Sequence, residues 1–221
     1  MSKALKLLGR LNLKTIIFNL KYFPLKTAIK LPVLISGNIY LYKTNGRVIL
    51  NGPIRTGMVQ IGYGKVAVTD FKRSRGVWEV NGDVEFKGRA FIMHGCKINV
   101  SKNAQLIIGD DFHMSTECAI VVEKRIEIGN ESGISWESLV MDTDFHHIAD
   151  ENGVVFNHPK EIIIGDKVWV GCRCTILKGS VIPSGSIIAA NSLVTKKLVG
   201  DSCIFGGNPM RVLKENITWW Y

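Results

Sequence analysis

An aliphatic side chain returns at every sixth position from Ile164 onward, through Val170, Ile176, Ile182, Ile188 and Val194. Two places before each stands Ile162, Val168, Cys174, Ser180, Ser186 or Ser192, and Gly165, Gly171, Gly179, Gly185 and Asn191 fall between. The same spacing occurs earlier as Val80, Phe86, Ile92, Ile98 and as Val122, Ile128, Ile134, Val140. A helix repeats its faces about every 3.6 residues and a strand every second one, so a period of six suits neither a helix nor a hairpin. It suits a triangular coil of three short strands, each turning one aliphatic side chain inward, with successive coils stacked into internal ladders. Small Ser and Cys side chains would relieve crowding near the corners. A sandwich with turns roughly every eight to twelve residues gives no reason for a fixed six. The expected fold class is all-β, a parallel β-helix.

Two places break the rhythm. Near residues 120–122 the register slips by two. Between Val140 and Ile162 lies the polar run MDTDFHHIADENGVVFNHPKE, which carries no ladder and holds His146, His147 and His158 of the chain's five histidines. Insertions in a solenoid leave the coil as loops, often on its binding face.

A hydrophobic fraction of 46% and a charged fraction of 21% are those of a folded chain and exclude a disordered one. No apolar run is long and uncharged enough to cross a bilayer, and no secretory signal is read at the N-terminus. Five cysteines with no C-x-x-C pair suggest reduced thiols, several acting as small core residues, and a cytoplasmic location.

The net charge of +9 sits at one end. Eleven of the 28 Lys and Arg precede the first acidic residue, Asp70, leaving seventeen to face all nineteen acids. Residues 2–22 are expected to form a helix that ends before Pro24, with Lys3, Lys6, Arg10, Lys14 and Lys21 on one stripe and Leu5, Leu8, Leu11, Ile16 and Leu20 beside it. Such a helix suits an anionic membrane surface; alternatively it packs on the first coils with its lysines in water. No aromatic cluster or recognised motif supports nucleic-acid binding.

The stretch IGDKVWVGCRCTILKGSVIPSGSIIAANSLVTKK, followed by GGNPMRVLK, resembles the C-terminal half of hexapeptide-repeat acyltransferases. Within that family it is most similar to galactoside and maltose O-acetyltransferases and to the enzymes that decorate bacterial surface polysaccharides. The likeness is detailed over roughly residues 105–215 and loose over 31–104. The chain then divides into a basic segment (1–30), a β-helix acyltransferase domain (31–215) and a tail (216–221). The resemblance implies a left-handed β-helix, a homotrimer, and acetyl-CoA as co-substrate in a groove between subunits, with no metal. It also implies a loop histidine acting as base. By the register of MDTDFHHI that base is His146, with Asp144 as its neighbour and His147 at the variable position.

The chemistry is reasonable on physical grounds. A sugar hydroxyl is a poor nucleophile at neutral pH, and an imidazole of ordinary pKa about 6.5 suits removal of its proton, contributing roughly 10²–10⁴-fold. Asp142 or Asp144 would fix the tautomer. For acetyl-CoA the resemblance carries over Gly171, Cys172, Ala190, Thr195, Lys196, Arg211 and Lys214; Cys172 stands where relatives often have Ser. Phosphate binding is the favoured role of Lys196, Lys197 and Arg211, with a solvated edge as the alternative. For the acceptor it carries over Ser115 and Glu117. Relatives usually have Asn at the latter, which argues against galactoside or maltose. Trp136 and Glu137, expected one coil from the loop, form an indole–carboxylate pair suited to sugar, unless Trp136 only covers the ladder.

The inferred activity is O-acetyl transfer to a lipid- or nucleotide-linked sugar in surface-polysaccharide synthesis, in the cytoplasm or peripherally at the inner membrane face. Three alternatives stand beside it. N-acetylation of a nucleotide-linked amino sugar differs only in the acceptor. A γ-carbonic-anhydrase-like metal site needs three histidines, two of them five apart, and no two here are so spaced. A non-catalytic scaffold would have no need of the histidine loop. His94 and His113 are expected at coil corners, in structural or surface roles.

Overall fold

A computed structural model describes residues 9–220. Three parallel sheets form the faces of a prism. The first stacks β1 (Val33–Ile35), β4 (Val59–Ile61), β7 (Ala90–Ile92), β10 (Phe112–Met114), β13 (Gly133–Ile134), β16 (Trp169–Val170), β19 (Ile187–Ile188), β21 (Ile204–Gly206) and β22 (Arg211–Lys214). The second stacks β2 (Ile39–Thr44), β5 (Gly76–Val80), β8 (Lys97–Val100), β11 (Ala119–Val122), β14 (Leu139–Met141), β17 (Thr175–Leu177) and β20 (Leu193–Val194). The third stacks β3 (Arg47–Leu50), β6 (Asp83–Phe86), β9 (Gln105–Ile108), β12 (Arg125–Ile128), β15 (Ile162–Ile164) and β18 (Val181–Ile182). The chain visits the sheets in turn, so each strand pairs with one a full coil away. Among the strands of these three sheets only β22 runs antiparallel, folding back on β21. This is the left-handed parallel β-helix expected from the sequence.

Every ladder residue read from the six-residue period is buried, and so are the residues two places before Ile164 and its successors. Fully burying an aliphatic side chain contributes about 2 kcal/mol, so the ladders are the main source of stability. The small polar members do more than relieve crowding. Ser138 Oγ donates to the Gly171 carbonyl at 3.0 Å and accepts from the Cys174 amide at 3.1 Å; Ser132 Oγ bridges Gly165 and Val168 likewise. These hydroxyls satisfy corner backbone groups that the ladder hydrogen bonds leave over.

Coil length explains the slip. Thr175 stacks under Leu193, eighteen positions on, which is three hexapeptides. Ala119 stacks under Leu139, twenty positions on, because four-residue β11 sends both Ile120 and Val122 inward. From Leu139 to Thr175 the step is thirty-six, one coil plus the polar loop. A second excursion, residues 62–75 between β4 and β5, gave no sequence signal.

The N-terminal helix departs from expectation. Lys3 and Lys6 lie outside the described residues. The described helix α1 (Leu13–Tyr22) starts where Asn12 Oδ1 accepts from the Thr15 amide, and α2 (Leu25–Ala28) follows Pro24. Two members of the basic stripe, Arg10 and Lys14, turn back onto the coils, whereas Lys21 is exposed. The Arg10 guanidinium donates to Gln60 and stacks on Tyr63, and Lys14 Nζ donates to the carbonyls of Gly37 and Ile39. Inward, Phe18 lies 5.4 Å from Trp78, edge to face, and closes the core beneath the first coil. At the other end Trp219 packs on Trp169, and its indole donates to the Lys167 carbonyl at 3.0 Å.

Candidate functional site

The corner between the first and second sheets stacks residues 115–118, 135–138, 171–174 and 189–192. Glu117, Glu137, Arg173 and Asn191 occupy one column there, each with φ of 57–59°. The same left-handed φ recurs at Asp111, Glu131 and Lys167 on another corner, so tight cornering imposes it and no local function needs to be invoked. Adjacent coils are close enough at this corner that a Cβ on Gly171 would sit 2.7 Å from the Ala190 amide nitrogen. Gly171 is buried, its amide donating to the Ile188 carbonyl of the next coil and its carbonyl accepting from Ser138 Oγ of the preceding one, whereas Cys172 is part-buried and Ala190 exposed.

The corner column is charged. Lys97 Nζ lies 3.2 Å from Glu117 Oε2, and Arg173 Nε donates to Glu137 Oε2 at 2.6 Å. The Glu137 carboxylate pushes the Arg173 guanidinium pKa up. Against this column the 62–75 excursion forms one wall of a cavity of roughly 430 Å³, lined by Thr69, Asp70, Arg73, Ser74, Glu117 and Glu137. Glu117 Oε1 and Ser74 Oγ are buried there without a protein partner. Ser115 and Trp136 are part-buried on the same corner, and Ser135 Oγ accepts from the Trp169 indole at 3.0 Å. Trp136 and Glu137 lie in the coil that the polar loop leaves, not one coil away as expected.

The loop leaves at the corner between the second and third sheets. Its foot is Asp142, fully buried, whose carboxylate accepts from the amides of Glu123, Lys124 and Arg125 at 2.7–2.9 Å. Asp142 therefore anchors the loop and is not available to an imidazole. The Asp144 carboxylate does not reach His146 either. It accepts from Lys178 Nζ and from Asn157 Nδ2, and those bonds hold its pKa below the usual carboxylate range. The contact with His146 is made by the Asp144 backbone: His146 Nδ1 lies 3.2 Å from that carbonyl oxygen. A carbonyl can only accept, so in the neutral imidazole this contact puts the proton on Nδ1 and the lone pair on Nε2. His146 and His147 are both exposed. Asn157 Nδ2 also donates to the His146 carbonyl at 2.8 Å, and Phe145 overhangs a polar cavity of roughly 520 Å³ lined by Asn45, Asn81, Asn99 and Lys102.

Sequence reasoning missed Lys178 and Asn157. The coil register carries the signal for the first, since Met141 pairs with Leu177 and Lys178 therefore follows beneath the loop's foot. It also missed Ser74 and Arg73. His94 is buried at a corner, but His113 is not: it lies within β10, facing outward beside Phe91.

Two half-sites result. Ser115, Glu117, Trp136, Glu137, Cys172 and Ala190 line one corner; Asp144, His146, His147 and Lys178 line the next, with Thr195 and Lys196 further along it. Three-residue β14 separates them, about 10 Å of extended chain. Arg211 and Lys214 lie on terminal β22, exposed, and like Lys196 are in no ion pair among the described residues.

No family model matches the chain. A polysialic acid O-acetyltransferase of Neisseria meningitidis is 32% identical over 139 residues, covering 62% of this chain and 61% of that protein. Its counterpart from Escherichia coli O1:K1 / APEC is 35% identical over 124 residues, covering 55% of this chain and 40% of that protein. The chain thus spans less than two thirds of the length of these curated relatives. The crystal structure of the polySia-specific acetyltransferase NeuO superposes with a TM-score of 0.60 at 27% identity, covering 86% of this chain and 87% of that one. The expected resemblance to hexapeptide-repeat acyltransferases holds in sequence and in fold.

Proposed function

We propose that this chain is an acetyl-CoA-dependent O-acetyltransferase acting on a sugar hydroxyl in cell-surface polysaccharide synthesis, with His146 as general base. The observation that carries this reading is the His146 hydrogen bond to the Asp144 carbonyl, which leaves Nε2 as an exposed proton acceptor on a loop clamped by Lys178 and Asn157.

When bound, acetyl-CoA supplies an acyl group activated as a thioester. His146 Nε2 removes the acceptor hydroxyl proton as that oxygen bonds to the acyl carbon, then returns it to the departing sulfur. Cys172 and Ala190 would line the pantetheine path, with Gly171 the spacer that lets adjacent coils approach there. Thr195, Lys196, Arg211 and Lys214 would meet the nucleotide end. Exposed cations outside any ion pair among the described residues fit a phosphate-bearing ligand.

Glu117, Glu137 and Ser115 would accept hydrogen bonds from the acceptor's hydroxyls. Each carboxylate of this corner has a cation beside it, Lys97 at Glu117, Arg173 at Glu137 and Arg73 at Asp70, so its charge does not select against an acidic acceptor. Because His146 and this corner are held apart within one copy, the complete site forms between copies, in a homotrimer working on lipid- or nucleotide-linked sugar in the cytoplasm.

Purified protein given labelled acetyl-CoA and a cell-envelope extract should label a glycan fraction, and His146→Ala should abolish the label with folding unchanged. Equal labelling by His146→Ala and wild type would remove His146 from the chemistry; a glycan fraction left unlabelled by wild type would remove the reading itself.

A further inference from the structure

Helix α1 is built inside out. Its inward stripe is Thr15, Phe18, Asn19 and Tyr22, and the polar members bind the open edge of β1 as a partner strand would. Thr15 Oγ1 donates to the Ile35 carbonyl at 3.1 Å and accepts from the Ile35 amide at 2.9 Å. Asn19 does the same for Val33, donating at 2.6 Å and accepting at 3.2 Å. Capping an edge strand this way satisfies the backbone groups that the sheet leaves open.

The consequence lies on the other side. With hydrogen-bonding side chains turned inward, Leu13, Ile16, Ile17 and Leu20, at i, i+3, i+4 and i+7, face outward. Leu13 is 70% exposed and Leu20 55%, and after Pro24 the short α2 region adds Leu25 at 67% and Ile29 at 68%. Leucine and isoleucine at this density on an end cap form a contiguous apolar surface that water does not favour.

We infer that this outer face docks on an anionic lipid bilayer. Charge complementarity identifies the occupant. Lys21, Lys26 and Lys30 are exposed around the apolar residues and in no ion pair among the described residues. No Asp or Glu precedes Asp70. An apolar stripe flanked by lysines without a nearby acid is the pattern of a helix lying in the lipid headgroup region. A second copy is a poor occupant, because two-fold pairing of this face would set like lysine clusters against one another. The inference stands apart from the transfer chemistry: it needs neither His146 nor the charged corner.

The test is co-sedimentation of the full chain with phosphatidylglycerol and with phosphatidylcholine vesicles. Binding should favour the anionic vesicles and weaken as salt is raised. Ile17→Ser combined with Leu20→Ser should weaken it about tenfold or more, with oligomer mass and unfolding midpoint unchanged. Lys21→Gln, Lys26→Gln and Lys30→Gln together should weaken it about a hundredfold and flatten the salt dependence, with no apolar residue altered. Binding that ignores vesicle charge and both variants overturns the inference. So does a fall in oligomer mass on Ile17→Ser with Leu20→Ser, which makes the face an interface between copies. Binding lost only on deleting residues 2–8 also overturns it, assigning the contact to that segment.

Discussion

His146 is set up for its proposed role by what its other ring nitrogen touches. With Nδ1 donating to the Asp144 carbonyl, only Nε2 can take a proton, so His146→Ala should lower turnover by roughly 10²–10⁴-fold. His147→Ala should stay within about tenfold of wild type, and steady-state kinetics on the two variants separates them. Lys178 is a positioning residue: Lys178→Met frees the Asp144 carboxylate and the Asn157 carbonyl, and should lower kcat about tenfold while leaving KM and the unfolding midpoint in place. The pH dependence follows from the lowered Asp144 pKa. A depressed carboxylate keeps its ion pair above the ordinary carboxylate value and loses it only as pH falls through the lower, folded one. Protection of the loop amides against hydrogen exchange should therefore persist below the ordinary carboxylate value of about 4 in wild type and fail already near that value in Lys178→Met. The sequence singles out the proposed base because the MDTDFHHI motif marks it. The partner of Asp144 was not legible, because Lys178 lies thirty-four positions away and only coil stacking brings it close.

At the scale of elements, the six-residue period specified nearly everything that repeats. An inward aliphatic every sixth residue leaves one way to bury them all, and Ile176→Ala should cost about 3 kcal/mol in chemical denaturation, since a ladder held by coils above and below cannot collapse into the gap. Elements that do not repeat were legible only in part. The 142–161 loop announced itself as a polar gap in the ladder. The 62–75 excursion did not, because the early coils have longer strands and no clean register to interrupt, yet it walls the cavity at Glu117 and Glu137. Helix α1 shows a subtler limit. By sequence its apolar residues suit either a membrane surface or the first coils, and the open edge of β1 settles which residues turn inward by taking Thr15 and Asn19.

For the whole molecule, the proposed site is incomplete in one copy because of the prism shape. A β-helix is stiff, and the second sheet holds the His146 loop and the Glu117–Glu137 corner on different edges, so closing the gap within a copy would mean breaking ladders. Light scattering should therefore give a mass of three copies. The most direct test mixes subunits. One variant carries His146→Ala, with a dead loop and an intact corner; the other carries Glu117→Ala and Glu137→Ala, with the reverse. Each alone should be nearly inactive. Unfolded and refolded together at equal amounts, they should recover about a quarter of wild-type acetyl transfer, the share of interfaces that pair an intact loop with an intact corner. Mixed trimers no more active than the separate variants would contradict the account and place the whole site within one copy.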